Sequence, residues 1–230
     1  LGADIQINDT TDYDSWSSTA PKYQWLPIGF NTYFAGTFGG VDKNSIHTIR
    51  GIYMKNDLIK SGLISKTTAA ATVQNLRLEE SYFEGTSTVE SWIRSIVGDA
   101  AGIFQSIYSN ADVVLKARNA NPYAGGMFGI VFKNGLVARE CWFEGTVTSN
   151  NQYVGGFIGA IGTGKEIELT DCLMSGTVTS ITPSDTVATY TGGFIGRVLS
   201  AESTNLTDCM NIGTVRVTIY GDGANRNRKG

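Results

Sequence analysis

One segment of this chain is written three times, and that repetition constrains the fold more than any other feature of the sequence. The copies start at residues 123, 153 and 190, so their spacing is 30 and then 37 residues. They read YAGGMFG with ECWFEGTV, YVGGFIG with DCLMSGTV, and YTGGFIG with DCMNIGTV. Each copy holds short β-type runs and no segment long enough for a helix. Such units predict a solenoid, in which each turn buries its apolar face against its neighbours.

The repeat predicts an all-β fold, a single right-handed parallel β-helix of about seven coils. Fainter copies contribute to this count. ESYFEGT at 80–86 places Ser81 in the cysteine position, and SGLIS at 61–65 and AAGIF at 100–104 match the glycine-pair strand. Two other folds are excluded, because a propeller blade needs about 40–45 residues and a sandwich would not repeat its sequence.

Equivalent positions of successive coils stack about 4.8 Å apart in such a fold, so the repeated residues form ladders. The glycines mark a corner that needs either a positive φ or a close approach of two backbones. The cysteines are expected to be free, buried thiols, because parallel Cβ vectors disfavour a disulfide. The predicted structural ladders are Gly126, Gly156 and Gly193, and Cys141, Cys172 and Cys209.

The whole chain, 1–230, is predicted to be one β-solenoid domain with four parts. Residues 1–85 form divergent N-terminal coils, 86–122 an irregular insertion, 123–220 the three repeats, and 221–230 a tail. Within the insertion a helical spacing of apolar residues predicts a short helix on the side of the solenoid. These residues are Trp92, Ile93, Ile96 and Val97.

Charge and apolar run lengths argue against two classes of partner, nucleic acids and membranes. The net charge is −3 and the basic cluster at 226–229 is short, so the sequence has no footprint for nucleic acid. No run of about 18 apolar residues occurs, which argues against membrane insertion. The chain starts at Leu1, with neither an initiating Met nor a signal peptide, and we interpret it as a monomeric fragment of a longer protein.

Catalytic and metal-binding patterns are missing from the sequence, so we expect no catalytic residue, metal or cofactor. His47 is the single histidine, which excludes HExxH zinc chemistry, and no G-x-S-x-G is present. The cysteine spacing does not match a structural zinc site, and the acidic stretch at 8–14 does not fit an EF-hand loop. Glu140, Asp171 and Asp208 precede the cysteines, and we interpret this acidic ladder as a turn or a solvated face.

The three copies resemble the GLUG motif, a glycine-rich repeat of large bacterial surface proteins, at GGMFG, GGFIG and GGFIG. The first half is similar to the segment that often precedes such repeats, at ADIQIND, WLPIG, FAGTFGG and SIHTIRGIYM. The resemblance covers residues 1–85 and 123–220. It implies a secreted or wall-attached bacterial protein, often an adhesin and sometimes the non-catalytic part of an immunoglobulin A-type metallopeptidase.

Together with the irregular segment, this resemblance predicts a non-catalytic, extracellular binding or adhesion module. Its ligand is expected to be a host protein, such as an immunoglobulin or a mucin, or a glycan. The alternatives are a purely structural stalk, which has no need of an irregular segment, and a polysaccharide-active β-helix enzyme. Aromatic residues are enriched in protein-binding hot spots. The candidate partner-binding residues are Trp92, Ile93, Arg94 and Tyr108 in the insertion, and Tyr13 and Trp16 in the N-terminal loop.

Overall fold

The computed structural model of this chain is an all-β solenoid, as the repeat predicts. It describes residues 1–57, 61–86, 92–116, 122–132, 135–150, 153–163, 166–182 and 189–219. In this part of the chain the one helix is a short 3-10 turn at Tyr13–Ser15, and no helix is long and apolar enough to cross a membrane. The predicted tail, 221–230, lies outside the described residues.

The chain winds through four parallel sheets, labelled A to D here in the order in which a turn visits them. Sheet A is the largest, and its eleven strands are Ile5–Gln6, Thr37–Gly39, His47–Arg50, Thr72–Glu79, Gly102–Ser109, Leu136–Arg139, Trp142–Phe143, Glu166–Thr170, Leu173–Met174, Ser203–Thr207 and Met210–Asn211. Sheet B has six strands, Tyr53–Asn56, Tyr82–Gly85, Asp112–Leu115, Thr146–Ser149, Thr177–Thr182 and Thr214–Ile219.

The other two sheets complete each turn. Sheet C has four strands, Trp92–Ile93, Tyr123–Gly125, Tyr153–Gly155 and Tyr190–Gly192. Sheet D has five strands, Ile64–Lys66, Val97–Asp99, Phe128–Val131, Ile158–Thr163 and Ile195–Ser200. The inward side chains of all four sheets share one apolar core, which runs along the solenoid.

Four successive turns pass through all four sheets, at residues 72–99, 102–131, 136–163 and 166–200. The predicted number of about seven coils is therefore too high, although seven strands follow one another along the main path of sheet A. The difference arises at the ends, where the turns are incomplete. Near the N-terminus, for example, Ile28 meets sheet D through a single bridge to Ile64 rather than through a strand.

The predicted short helix is wrong, because residues 92–116 form a regular turn of the solenoid. Trp92 pairs with Tyr123 in sheet C, and Val97 pairs with Phe128 in sheet D. Helical spacing is misleading here, since the bend between the two strands directs Ile93, Ile96 and Val97 into one core. The described residues 92–116 are thus a coil and not an irregular insertion.

The register of this turn shows which of the fainter copies lie at the same corner as the glycine pairs. WIRSIVG, from Trp92, aligns with YAGGMFG, from Tyr123, so Arg94 and Ser95 occupy the place of the glycine pair. SGLIS at 61–65 lies one turn earlier at the same corner, as predicted, because Leu63 N donates to Ser95 O over 2.9 Å. AAGIF at 100–104 does not belong to that corner, since it leads into sheet A.

The cysteine row shows a second false match. Cys141 and Cys172 lie at equivalent positions of sheet A, between strand segments that pair in register, and both thiols are free and buried. The same row continues to Cys209, which is half-buried. Ser81 does not lie in this row. It hydrogen-bonds through its carbonyl to Asp112 N, which places it in the row of the Gly-Thr-Val glycines instead.

A row of left-handed residues bends sheet A just before the cysteines. The row runs through five successive turns, with φ values of 51–53° at Asn75, Ser106, Glu140, Asp171 and Asp208. Such a φ is uncommon for residues other than glycine, and asparagine and aspartate tolerate it best. Each left-handed residue interrupts the in-and-out alternation of side chains along the strand. The side chains on both sides of the bend therefore face the core. The acidic ladder is therefore a turn, in agreement with one of the two expectations.

The glycine pairs are required by close packing and not by a positive φ. In the structure Gly126, Gly156 and Gly193 follow one another at one corner, and none has a left-handed φ. A Cβ on Gly156 would overlap the carbonyl oxygen of Gly193 and stand 2.6 Å from Cε of Met174. Only a residue without a side chain lets the backbones of two turns approach this closely.

The earliest complete turn replaces this glycine pair with Arg94 and Ser95, and the arginine is an anomaly. Arg94 is 0% exposed, and its three guanidinium nitrogens have no hydrogen-bond partner among the described residues. The guanidinium lies against the backbones of Gly98 and Gly129. Burial lowers the pKa of Arg94 well below its ordinary value, and the nearby charge of Asp99 offsets this only in part. A buried, unpaired charge of this kind destabilises the fold.

We predict that Gly156→Ala lowers the free energy of unfolding by about 1–3 kcal/mol, because the new methyl group overpacks the corner. Urea denaturation checks this. The matched control is Gly2→Ala, where a Cβ would meet nothing within 4 Å and stability should not change. Equal stability of both variants would show that the corner can relax.

We also predict that Arg94→Met is at least as stable as the parent, and up to about 4 kcal/mol more stable. Methionine fills a similar volume without the buried charge. Arg94→Lys keeps the charge and serves as the control, with lower stability expected. A methionine variant clearly weaker than the parent in thermal and urea unfolding would mean that the guanidinium has a favourable partner.

Candidate functional site

A solvent-facing cluster of aromatic and charged side chains lies on the outer face of sheet A. We call it the Tyr108–Trp142 surface and define it by five residues, Arg77, Tyr108, Trp142, Glu144 and Ser175. Arg77, Tyr108 and Trp142 are in register in three successive turns, so the ladder spacing brings their side chains together. All three point outward, because their neighbours in sequence, such as Leu76 and Phe143, fill the core.

Two aromatic rings and a guanidinium form the centre of this surface. The rings of Tyr108 and Trp142 meet edge to face, with centroids 5.0 Å apart and an interplanar angle of 74°. The guanidinium carbon of Arg77 lies 4.2 Å from the centroid of the Tyr108 ring, a cation–π distance. Trp142 remains 37% exposed, so it offers a large apolar face to solvent.

Hydrogen bonds from the polar atoms hold both rings in place. The Tyr108 hydroxyl donates to Oε2 of Glu144 over 2.8 Å, and Nε1 of Trp142 donates to Oγ of Ser175 over 2.7 Å. Each bond joins one turn to the next, so the rings are oriented before any ligand arrives. Such pre-organisation reduces the entropy that binding would otherwise lose.

Arg77 is held by an ion-pair network at one end of the surface. Its Nε lies 2.8 Å from Oε1 of Glu79, and Nη2 of Arg50 lies 2.7 Å from the other oxygen. Burial tends to raise the pKa of Glu79, but the hydrogen bonds from Arg50 and Arg77 outweigh it, and the pKa is lowered. Glu79 therefore stays ionised near neutral pH, which keeps Arg77 over the tyrosine.

Tyr108 remains a hydrogen-bond donor over the whole physiological pH range. Partial burial, followed by the hydrogen bond to Glu144, raises the pKa of Tyr108 to about 12. The surface thus presents two oriented rings, a phenol, a cation and a carboxylate. Interface hot spots typically combine aromatic residues and arginine in this way.

The structure contradicts part of the predicted binding set in 92–94. Ile93 and Arg94 are fully buried, so neither side chain can contact a partner in this conformation. Trp92 is 8% exposed and packs against Tyr123, with ring centroids 6.2 Å apart. Trp92 and Tyr123 form a second buried cluster with Tyr153 of sheet C and with Ile130 and Ala160 of sheet D. Tyr108 is the member of the predicted set that reaches the surface described above.

Tyr13 and Trp16 hold the N-terminal segment against sheet B. Trp16 is 2% exposed and meets Tyr53 edge to face, with centroids 5.8 Å apart. The hydroxyl of Tyr13 donates to Ser81 O and accepts from Asp112 N, and burial raises its pKa. The prediction of a direct partner contact is corrected for Trp16, because its ring is covered by the protein itself.

Sequence reasoning missed four of the five residues of the Tyr108–Trp142 surface. Trp142 had a signal in the repeat, because the equivalent positions after the other cysteines are Leu173 and Met210. A tryptophan at an outward position departs from its own ladder. Arg77 and Glu144 had no such signal, since their proximity to Tyr108 depends on the register between turns.

Within the described residues, no group of three or more histidine, cysteine, aspartate or glutamate side chains is arranged to hold a metal ion. The acidic stretch at 8–14 is used locally, since Oδ1 of Asp9 accepts from the amide and the hydroxyl of Thr11. His47 lies in sheet A with Nδ1 3.7 Å from Oδ1 of Asp4.

We predict that Glu144→Gln lowers the pKa of Tyr108 from about 12, because the carboxylate charge disappears. Titration of the tyrosine Cζ signals by NMR measures this, with Tyr108→Phe to assign the signal. A raised folded pKa stabilises the fold fully below pH about 10, and this contribution is lost as the pH rises through the folded value. Glu140→Gln, whose carboxylate binds Ser106 instead, is the control. An unchanged Tyr108 pKa would contradict the assigned contact.

The comparisons with known proteins add a likeness in fold. No family model matches this chain, and no curated protein matches it. A solved structure that does match is described as a "putative immunoglobulin A1 protease from Bacteroides ovatus". The two chains are 18% identical with a TM-score of 0.55, and the match covers 95% of this chain and 76% of that chain. At this identity the likeness concerns the fold alone.

Proposed function

We propose that this protein is a non-catalytic binding module of a secreted or surface-attached bacterial protein, and that it recognises a host protein through the Tyr108–Trp142 surface. The observation that carries the proposal is the pre-oriented aromatic pair, flanked by Arg77 on one side and Glu144 on the other. A structural stalk has no use for an exposed tryptophan whose ring nitrogen and partner tyrosine are both fixed by hydrogen bonds.

Departure from the repeat is what makes this surface suited to recognition. The regular faces of a solenoid present the same side chains in every turn, so they offer little that is unique to one partner. The Tyr108–Trp142 surface differs, because each turn contributes another residue type to one row. Its mixture of aromatic, cationic and acidic groups can contact an apolar centre and a polar rim at once.

The likeness in fold decides which ligand should be tested first. The solved structure of similar fold is described as a putative immunoglobulin A1 protease, and the glycine-rich repeats resemble the GLUG motif. The first observation supports an immunoglobulin as the ligand of this chain, the second supports a bacterial surface protein, and a mucin is the second host protein to be tested. We propose binding and not cleavage, since His47 is the single histidine and the acidic residues before the cysteines form a turn.

We predict that Trp142→Ala weakens binding to immunoglobulin A1 at least tenfold, equivalent to about 1.4 kcal/mol. The purified protein is tested by surface plasmon resonance against immobilised immunoglobulin A1, mucin and a glycan array. The melting temperature should change little, because Trp142 is partly exposed. Tyr33→Ala is the matched control, an exposed aromatic residue away from this surface.

Four results would contradict the proposal. Equal loss of binding in Trp142→Ala and in the control would place the site elsewhere. No binding to any immobilised ligand would favour the stalk. Cleavage of immunoglobulin A1 or mucin during a long incubation, seen by gel electrophoresis, would show an enzyme. Binding to the glycan array alone would replace the protein ligand with a glycan.

A further inference from the structure

A concave feature lies at the N-terminus, and Trp16 is part of its lining. It is a cleft of about 360 Å³ between the segments on either side of the 3-10 turn. We call it the N-terminal cleft, and its lining includes Asn8, Asp9, Asp12, Trp16, Lys22 and Tyr23. Pockets for small ligands begin at about 300 Å³, so the cleft fits one or two sugar rings at most.

The walls of this cleft are fixed. The side-chain amide of Asn8 donates to the carbonyls of Tyr23 and Gly51 over 2.9 Å each, and its oxygen accepts from Tyr23 N over 2.9 Å. One buried side chain therefore ties both walls together and to the body of the solenoid. Trp16, which also lines the cleft, is held by Tyr13 and Tyr53. The cleft is therefore held open by contacts within the chain.

The polar groups of the cleft have spare hydrogen-bonding capacity. Asp9 uses Oδ1 for Thr11, and no partner of its Oδ2 is found in the described part of the chain. The Asp12 carboxylate likewise has no hydrogen bond among the described residues, although its main-chain oxygen accepts from the Ser15 hydroxyl over 2.8 Å. Carboxylates are acceptors only, so they select a ligand with several donors.

Tyr23 lines the cleft together with these acceptors. Tyr23 is 52% exposed, and Nζ of Lys22 lies 4.8 Å from the centroid of its ring. Aromatic rings pack well against apolar surfaces while their edges stay in contact with polar groups. The ligand of such a site has an apolar face and several hydroxyl donors at its rim.

We propose that the N-terminal cleft binds a neutral pyranoside. Its ring C–H face packs on Tyr23, and its hydroxyl groups donate to Asp9 and Asp12. An anionic sugar is disfavoured by the two carboxylates, whose like charge repels it. Lys22 beside the aromatic face repels a cation from the ring, whereas the two carboxylates attract it, so a cationic ligand is the competing occupant that the experiment must include. This inference does not depend on the Tyr108–Trp142 surface, which involves none of these residues.

Saturation-transfer NMR on the whole chain tests the proposal. The probes are methyl glycosides of glucose, galactose, mannose, N-acetylglucosamine and N-acetylgalactosamine, with methyl glucuronide as the anionic probe and lysine amide as the cationic probe. We expect at least one neutral glycoside to bind, and the Kd to rise at least tenfold in Asp12→Ala and in Tyr23→Ala. Methyl glucuronide should show no binding.

Two control variants match these changes. Asp14→Ala removes an exposed carboxylate two residues from Asp12 that does not line the cleft. Tyr33→Ala removes a 44%-exposed tyrosine that also has a lysine, Lys66, over its ring at 5.0 Å. Both should bind the sugar like the parent. A thermal melt of each variant separates loss of the site from loss of the fold.

Several outcomes would overturn the inference. These are the failure of every neutral glycoside to bind the folded parent, binding of lysine amide alone, and an equal loss of sugar binding in the controls. Loss of sugar binding in Trp142→Ala with retention in Tyr23→Ala would assign the sugar to the other surface. Each result leaves the immunoglobulin experiment to be judged separately.

Discussion

The parallel backbone hydrogen bonds between successive turns are the interaction on which the rest of this structure depends. They pair each residue with its equivalent one turn away, as Thr177 pairs with Thr214 and Val178 with Val215. Every side chain must therefore pack against its own counterparts. Tyr123, Tyr153 and Tyr190 solve this by stacking, with centroids 5.0 and 5.5 Å apart.

This constraint explains why the chain repeats its sequence. A corner that brings two backbones into contact in one turn does so in the next, so the three later turns each carry a glycine pair there, whereas the earliest complete turn carries Arg94 and Ser95. The row of left-handed residues in sheet A follows the same logic, because a bend in one turn must be matched by a bend in its neighbour. Successive turns of the solenoid therefore have the same cross-section and similar residues at its corners.

Both proposed binding sites lie where the sequence departs from the repeat. Trp142 stands in a row that continues as leucine and methionine, and the N-terminal cleft lies in a segment outside the complete turns. Both have rings or walls fixed by hydrogen bonds that the repeat does not require. Arg94 is also a departure from the repeat, but it is buried against glycine backbones and faces no solvent.

By itself the sequence determined the class of fold, because short strands repeated every 30 to 37 residues can bury their apolar faces only by stacking. It did not determine the register of the divergent turns. The predicted match of ESYFEGT to the cysteine row and the predicted helix in WIRSIVG were both wrong. A local match or a helical spacing carries no information about hydrogen bonds to another turn. Exposure was also decided by the tertiary structure. Trp16 is buried because Tyr53, which is distant in the chain, packs against its ring, whereas Trp142 stays 37% exposed beside Tyr108 of the preceding turn.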